Sequence, residues 1–125
     1  MTSRPQRLQL SRAAGFDLQA TSRCLNGLPA CSVARPTRWG NPLRISPRRL
    51  GEWMARASDA AEWGPFPSLA AAHEGACTLF RQHILDGRRQ LLDEAVERLR
   101  GRNLACWCPP ELCCHADVWL ELVNA

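Results

Sequence analysis

The chain has 125 residues, 46% of them hydrophobic and 22% charged, with a formal net charge of +4. Those values describe one globular domain able to bury its own core, and they exclude a disordered or fibrous chain. No run approaches the ~18 apolar residues needed to span a bilayer, and the opening MTSRPQRLQLSR lacks the apolar core of a secretion signal. A cytoplasmic protein with no membrane partner is expected.

In chain order, RLQLS (7–11) alternates apolar and polar residues, the pattern of a short half-buried strand. A turn-rich link with Gly15, Asn26 and Gly27 follows. ACSVA (30–34) predicts a central strand, ended by RPTRWGNP (35–42), where two prolines and a glycine force a defined loop. SPRRLGEWMARA (46–57) opens with serine and then proline, which predicts a capped helix start, and 57–68 reads as a loop. Ser68 caps a predicted helix from Leu69 to Asp86 that stops at Gly87. A second helix over RRQLLDEAVERLR (88–100) closes at Gly101. NLACWC (103–108) is a continuous apolar run typical of a strand buried on both faces, and CHADVWLELVNA (114–125) predicts a final helix. The succession predicts an α/β fold: a small single domain, 1–125, with a short, mostly parallel sheet covered by helices.

Seven cysteines in a reducing compartment are thiols, metal ligands or catalytic groups, and their odd number argues against a fully paired scaffold. Cys24, Cys31 and Cys77 stand alone and read as small buried hydrophobes. The other four lie within LACWCPPELCCHAD (104–117). All sixteen basic residues are arginine, whose planar fork suits phosphate or carboxylate. The mild positive excess permits a nucleic-acid or nucleotide partner without demanding one.

Both unusual stretches follow predicted strands, and open α/β sheets hold ligands at the carboxyl ends of their strands. The two are therefore expected to meet in one pocket. In the catalytic reading, Cys114 and His115 sit at the start of the last helix, where the helix dipole favours thiolate; His115 acts as acid or base, and Asp117 orients it or caps the helix. That reading requires no cofactor. In the alternative, Cys106 and Cys108 share a strand face and join Cys114 and His115 around zinc, although adjacent Cys114 and His115 make an awkward ligand pair. In the first stretch, Arg35 and Arg38 can grip an anion and Trp39 can stack on a planar ring. Gly40 admits a close ligand and Asn41 can read a polar edge. The competing reading there is a loop held by a buried tryptophan. His73 and His83 read as structural.

RPTRWGNP and LRGRNLACWCPPELCCHADVWLELVN closely resemble the signatures of the family known as domain of unknown function 4326, small proteins of bacteria and phages. The resemblance covers most of the chain except roughly residues 46–66, a divergent or inserted piece. It implies functional weight for Arg35, Pro36, Trp39, Gly40, Asn41 and Pro42, and for Cys106, Trp107, Cys108, Cys114, His115 and Asp117, while Cys113 departs from the pattern. A strand followed by CH is also similar, weakly, to domain of unknown function 488. Neither family implies a reaction, but the phage association points toward nucleotides or DNA. The expected function is therefore action on a nucleotide or nucleic-acid component, by transfer or cleavage at base or sugar. The rival is a non-catalytic, zinc-stabilised module binding nucleic acid or protein. The sequence leaves the oligomeric state open.

Overall fold

A computed structural model describes residues 4–125. Its elements in chain order are β1 (Arg7–Gln9), α1 (Leu18–Asn26), β2 (Ala30–Ser32), β3 (Arg44–Pro47), β4 (Trp53–Arg56), β5 (Glu62–Phe66), α2 (Leu69–Gly87), α3 (Arg89–Leu99), β6 (Asn103–Cys106) and α4 (His115–Val123). The first sheet has the order β1-β6-β2 and is parallel throughout. All four residues of β6 are buried, as expected of a central strand with no solvent face. The second sheet, β3-β4-β5, is an antiparallel meander placed in sequence between β2 and α2. The protein is thus a small mixed α/β domain whose parallel sheet matches the expected one and whose second sheet was not foreseen.

That second sheet overturns the helix expected at 46–57 and the loop expected at 57–68. The Glu52 N–H bonds the Arg49 carbonyl at 2.8 Å, and the two residues between them have positive φ, 50° at Leu50 and 80° at Gly51. Two successive left-handed residues form the tight hairpin turn that matches strand twist, and no right-handed helix passes through them. Trp53 is thereby brought opposite Pro47, and Met54 and Ala55 are buried. A second correction concerns the link before β2, which contains α1. Asp17 caps this helix by accepting the Ala20 N–H at 3.1 Å, and Gly27 closes it at φ 79°.

The remaining helices follow the expected boundaries closely. Helix α2 touches all three strands of the meander and also α3 and α4, so it joins the meander to the other two helices. Gly75 makes that packing possible: a Cβ there would overlap the ring of Phe66 on β5. Helix α4 packs on β6 and β1. Trp119 of α4 is fully buried, with Phe80 and Trp39 set edge-on against it at 5.5 and 5.8 Å.

One polar knot joins α1 to the central strand. Asn103, fully buried, donates to Ser22 Oγ at 2.7 Å and Asn26 Oδ1 at 2.8 Å, and its Oδ1 accepts the Gln6 N–H at 2.9 Å and the Asn26 amide at 2.8 Å. Every polar atom of that side chain is satisfied, so the burial costs little. No helix among the described residues is long and apolar enough to cross a membrane.

Candidate functional site

Because β2 and β6 are parallel neighbours, the loops that leave them emerge at the same sheet edge. Strand β1 ends there too, with the Leu10 N–H bonded to the Cys106 carbonyl at 2.8 Å. Between these loops, α2 and the meander lies a pocket of about 500 Å³. Arg35, Asn41 and Leu43 line it from the first stretch, and Cys106 to Cys108 and Cys113 to His115 from the second. The two motifs therefore share one cavity at the carboxyl ends of the strands, where α/β sheets place ligands.

The cysteines form its floor. The sulfur atoms of Cys106, Cys108 and Cys114 all lie within 4.8 Å of one another, close enough to hold one metal ion. Cys106 and Cys114 are buried, 2.9 Å apart between sulfurs, and Cys108 is half-buried. Hydrogen bonds from Cys106 and Cys114 hold the Cys108 thiol well below its usual range, despite the opposing effect of burial. The bond with Cys108 raises Cys106 to about 11, and bonds with Cys106 and then Cys108 raise Cys114. These bonds favour negative charge on Cys108, the member nearest solvent, over its two neighbours. Cys114, the nucleophile expected from the sequence, is buried with its thiol pushed up, whereas the Cys108 thiol is half-buried and held down.

His115 is 9% exposed and lies outside the three-sulfur cluster, so the expected four-ligand set assembles only its cysteines. Its Nε2 is 2.6 Å from the Val33 carbonyl oxygen, an acceptor only, so Nε2 carries the proton and Nδ1 faces Cys114 Sγ at 3.4 Å. Burial lowers its pKa, leaving a neutral ring. Asp117 does not orient His115. Its Oδ2 accepts the Cys114 N–H at 3.1 Å and the Arg7 guanidinium at 2.8 Å, so Asp117 completes the capping box of α4, whose N-cap residue is Cys114. Arg7 also donates to the carbonyls of Pro109 and Pro110 at 3.0 and 2.7 Å, fixing the loop that carries Cys108 and Cys114.

The first stretch is rearranged relative to expectation. Trp39 is 6% exposed, and its carbonyl accepts the Trp119 indole N–H at 2.8 Å; it holds the core and offers no stacking face to a ligand. Gly40 leaves no room for a Cβ because the backbone and side chain of Arg35 press against it, so its close approach is to its own loop. Arg38 lies over Trp39 and pairs with Glu94, outside the pocket. Arg35 and Asn41 remain at the pocket. Arg35 donates to the carbonyls of Asn41 and Leu43 at 3.1 and 3.2 Å, and Asn41 Oδ1 accepts the Leu43 N–H at 2.9 Å.

Among the pocket residues with polar or ionisable side chains, Arg12, His73 and Cys77 escaped the sequence reading as site residues. His73, read as structural, donates from Nδ1 to the Cys113 carbonyl at 3.1 Å, which in the neutral ring leaves Nε2 without a proton. Cys77 is half-buried, and burial, with Cys113 beside it, pushes its thiol up to about 12. Its place on the α2 face opposite the second stretch could be read only after the pairing of elements was known. Among the described residues no aspartate or glutamate lines the pocket.

The site defines a small α/β protein with a cysteine-floored, arginine-bearing pocket. A family model described as Domain of unknown function (DUF4326) matches residues 19–125, and the chain belongs to that family. No curated protein and no solved structure matches the chain.

Proposed function

We propose that this protein binds zinc through Cys106, Cys108 and Cys114 and uses the pocket above that centre to hold and act on a nucleotide or nucleic-acid component in the cytoplasm. The observation that carries the reading is the three-sulfur cluster at the floor of a pocket with arginines and no carboxylate. Soft thiolate ligands select zinc among the available divalent ions. Three protein ligands leave a fourth position for water or substrate, as in catalytic zinc sites, where the ion acidifies bound water or polarises a substrate oxygen. Cys108 already favours the thiolate form that a metal requires. An anionic ligand suits the pocket's charge, and its volume is that of a small-molecule site.

A second reading rests on Cys108 alone. A half-buried thiol on a pocket wall, held below its usual range by its neighbours, also suits a nucleophile, and transfer or cleavage through it needs no metal. The experiment is a screen of nucleotides and short nucleic acids for turnover with three preparations: zinc-loaded protein, chelated protein and Cys108→Ser. Turnover lost on chelation and restored by zinc supports the first reading. Turnover that survives chelation but not Cys108→Ser supports the second. Absence of binding and turnover across the screen contradicts both.

A further inference from the structure

Arg12 lies outside the span matched by the family model and outside both sequence motifs, yet it lines the pocket. Its position follows from the parallel pairing of β1 with β6: Gln9 sits opposite Cys106, so the chain leaving β1 runs beside Trp107. There the Arg12 guanidinium lies 5.1 Å from the centre of the Trp107 ring, a cation–π contact with an indole 46% exposed. Among the described residues Arg12 makes no side-chain hydrogen bond and no ion pair, so its fork is held in place but carries no acceptor. Across the same pocket Arg35 is braced by two backbone carbonyls and likewise has no carboxylate partner.

We infer that Arg12 and Arg35 form a two-arginine clamp for the phosphate monoester of a single nucleotide, with Trp107 positioning Arg12. The inference rests on the nucleotide reading of this pocket and names the group that the pocket grips. Two guanidinium forks match the oxygens of a dianionic phosphate, and preorganisation by the indole and the carbonyls reduces the entropy lost on binding. A volume of about 500 Å³ holds one nucleotide and no duplex.

The test uses titration calorimetry on the zinc-loaded protein with the four ribonucleoside 5′-monophosphates, their nucleosides, inorganic phosphate and a 5′-phosphorylated hexanucleotide. Wild type is expected to bind monophosphates more tightly than nucleosides. Arg12→Gln should weaken monophosphates about tenfold to a hundredfold while leaving zinc content and thermal unfolding unchanged, because Arg12 is exposed and outside the metal cluster. Trp107→Leu should weaken them several-fold, and Trp107→Phe should restore binding, since a phenyl ring still faces the guanidinium. Equal monophosphate binding by wild type and Arg12→Gln overturns the clamp and leaves the nucleotide reading standing. No nucleotide binding by wild type overturns both. Tighter binding of the hexanucleotide than of any monophosphate overturns the assignment to a single nucleotide.

Discussion

The imidazole of His115 donates from Nε2 to the carbonyl oxygen of Val33 across 2.6 Å, tying the first residue of α4 to the end of β2. One hydrogen bond thus joins the two loops that build the pocket. Burial lowers the folded pKa of His115 below its ordinary 6.5. Below that value the unfolded chain takes up a proton that the folded chain refuses. The contribution is therefore complete above about pH 6.5 and is lost as pH falls toward the folded value. In chelated protein, so that metal release adds nothing, denaturant midpoints should decline between pH 7 and 5. His115→Gln, which keeps a donor near Nε2, should flatten that decline. An equally steep slope in the variant would remove His115 as its source.

Arg7 should matter for stability and Asp117 should matter little for chemistry. Arg7, whose side chain is 10% exposed, makes three bonds to the loop and cap, whereas Asp117 is half exposed. Arg7→Met is expected to cost about 2–3 kcal/mol, measured by urea unfolding. Asp117→Asn should cost about 1 kcal/mol and leave ligand affinity within twofold. A large loss of turnover in Asp117→Asn with normal folding would restore Asp117 to a catalytic role.

Asn103→Ala should be among the more damaging single changes. It strands Ser22, Asn26 and the Gln6 N–H in or beside a buried region, at a cost of about 2–4 kcal/mol. A loss below 1 kcal/mol in chemical denaturation would mean that water replaces the knot.

Two hairpin turns invite stabilising changes. Leu50 is 95% exposed at φ 50°, and Ala60 sits at φ 70°, both in the left-handed region that asparagine and glycine tolerate better. Leu50→Asn and Ala60→Gly should each raise unfolding free energy by about 0.5–1 kcal/mol. A fall in stability from either would show that its turn is not strained.

These turns also explain what the sequence hid. Leu-Gly is a poor advertisement for a turn usually written Asn-Gly, and Ser46-Pro47 imitates a helix start, so 46–57 reads as helix until the two positive φ values are seen. Gly27 is legible as a turn residue, but it closes α1, whose cap Asp17 carries the signal that a helix begins. The parallel sheet was readable because β6 is buried on both faces, which leaves an apolar run with no other explanation. For the same reason the meeting of the two motifs was readable from strand direction. Which tryptophan faces the pocket was not. Trp39 and Trp107 look alike in sequence, and only packing against Trp119 turns the first inward and leaves the second at the pocket.

The most direct test of the proposed zinc site is zinc X-ray absorption on protein purified without chelator, with zinc content measured on the same sample. About one zinc per chain is expected, with three sulfur neighbours near ~2.3 Å and one lighter atom, and with the signal lost in Cys108→Ser. A folded wild-type protein that carries no zinc, or a zinc shell made of nitrogen and oxygen alone, would contradict it.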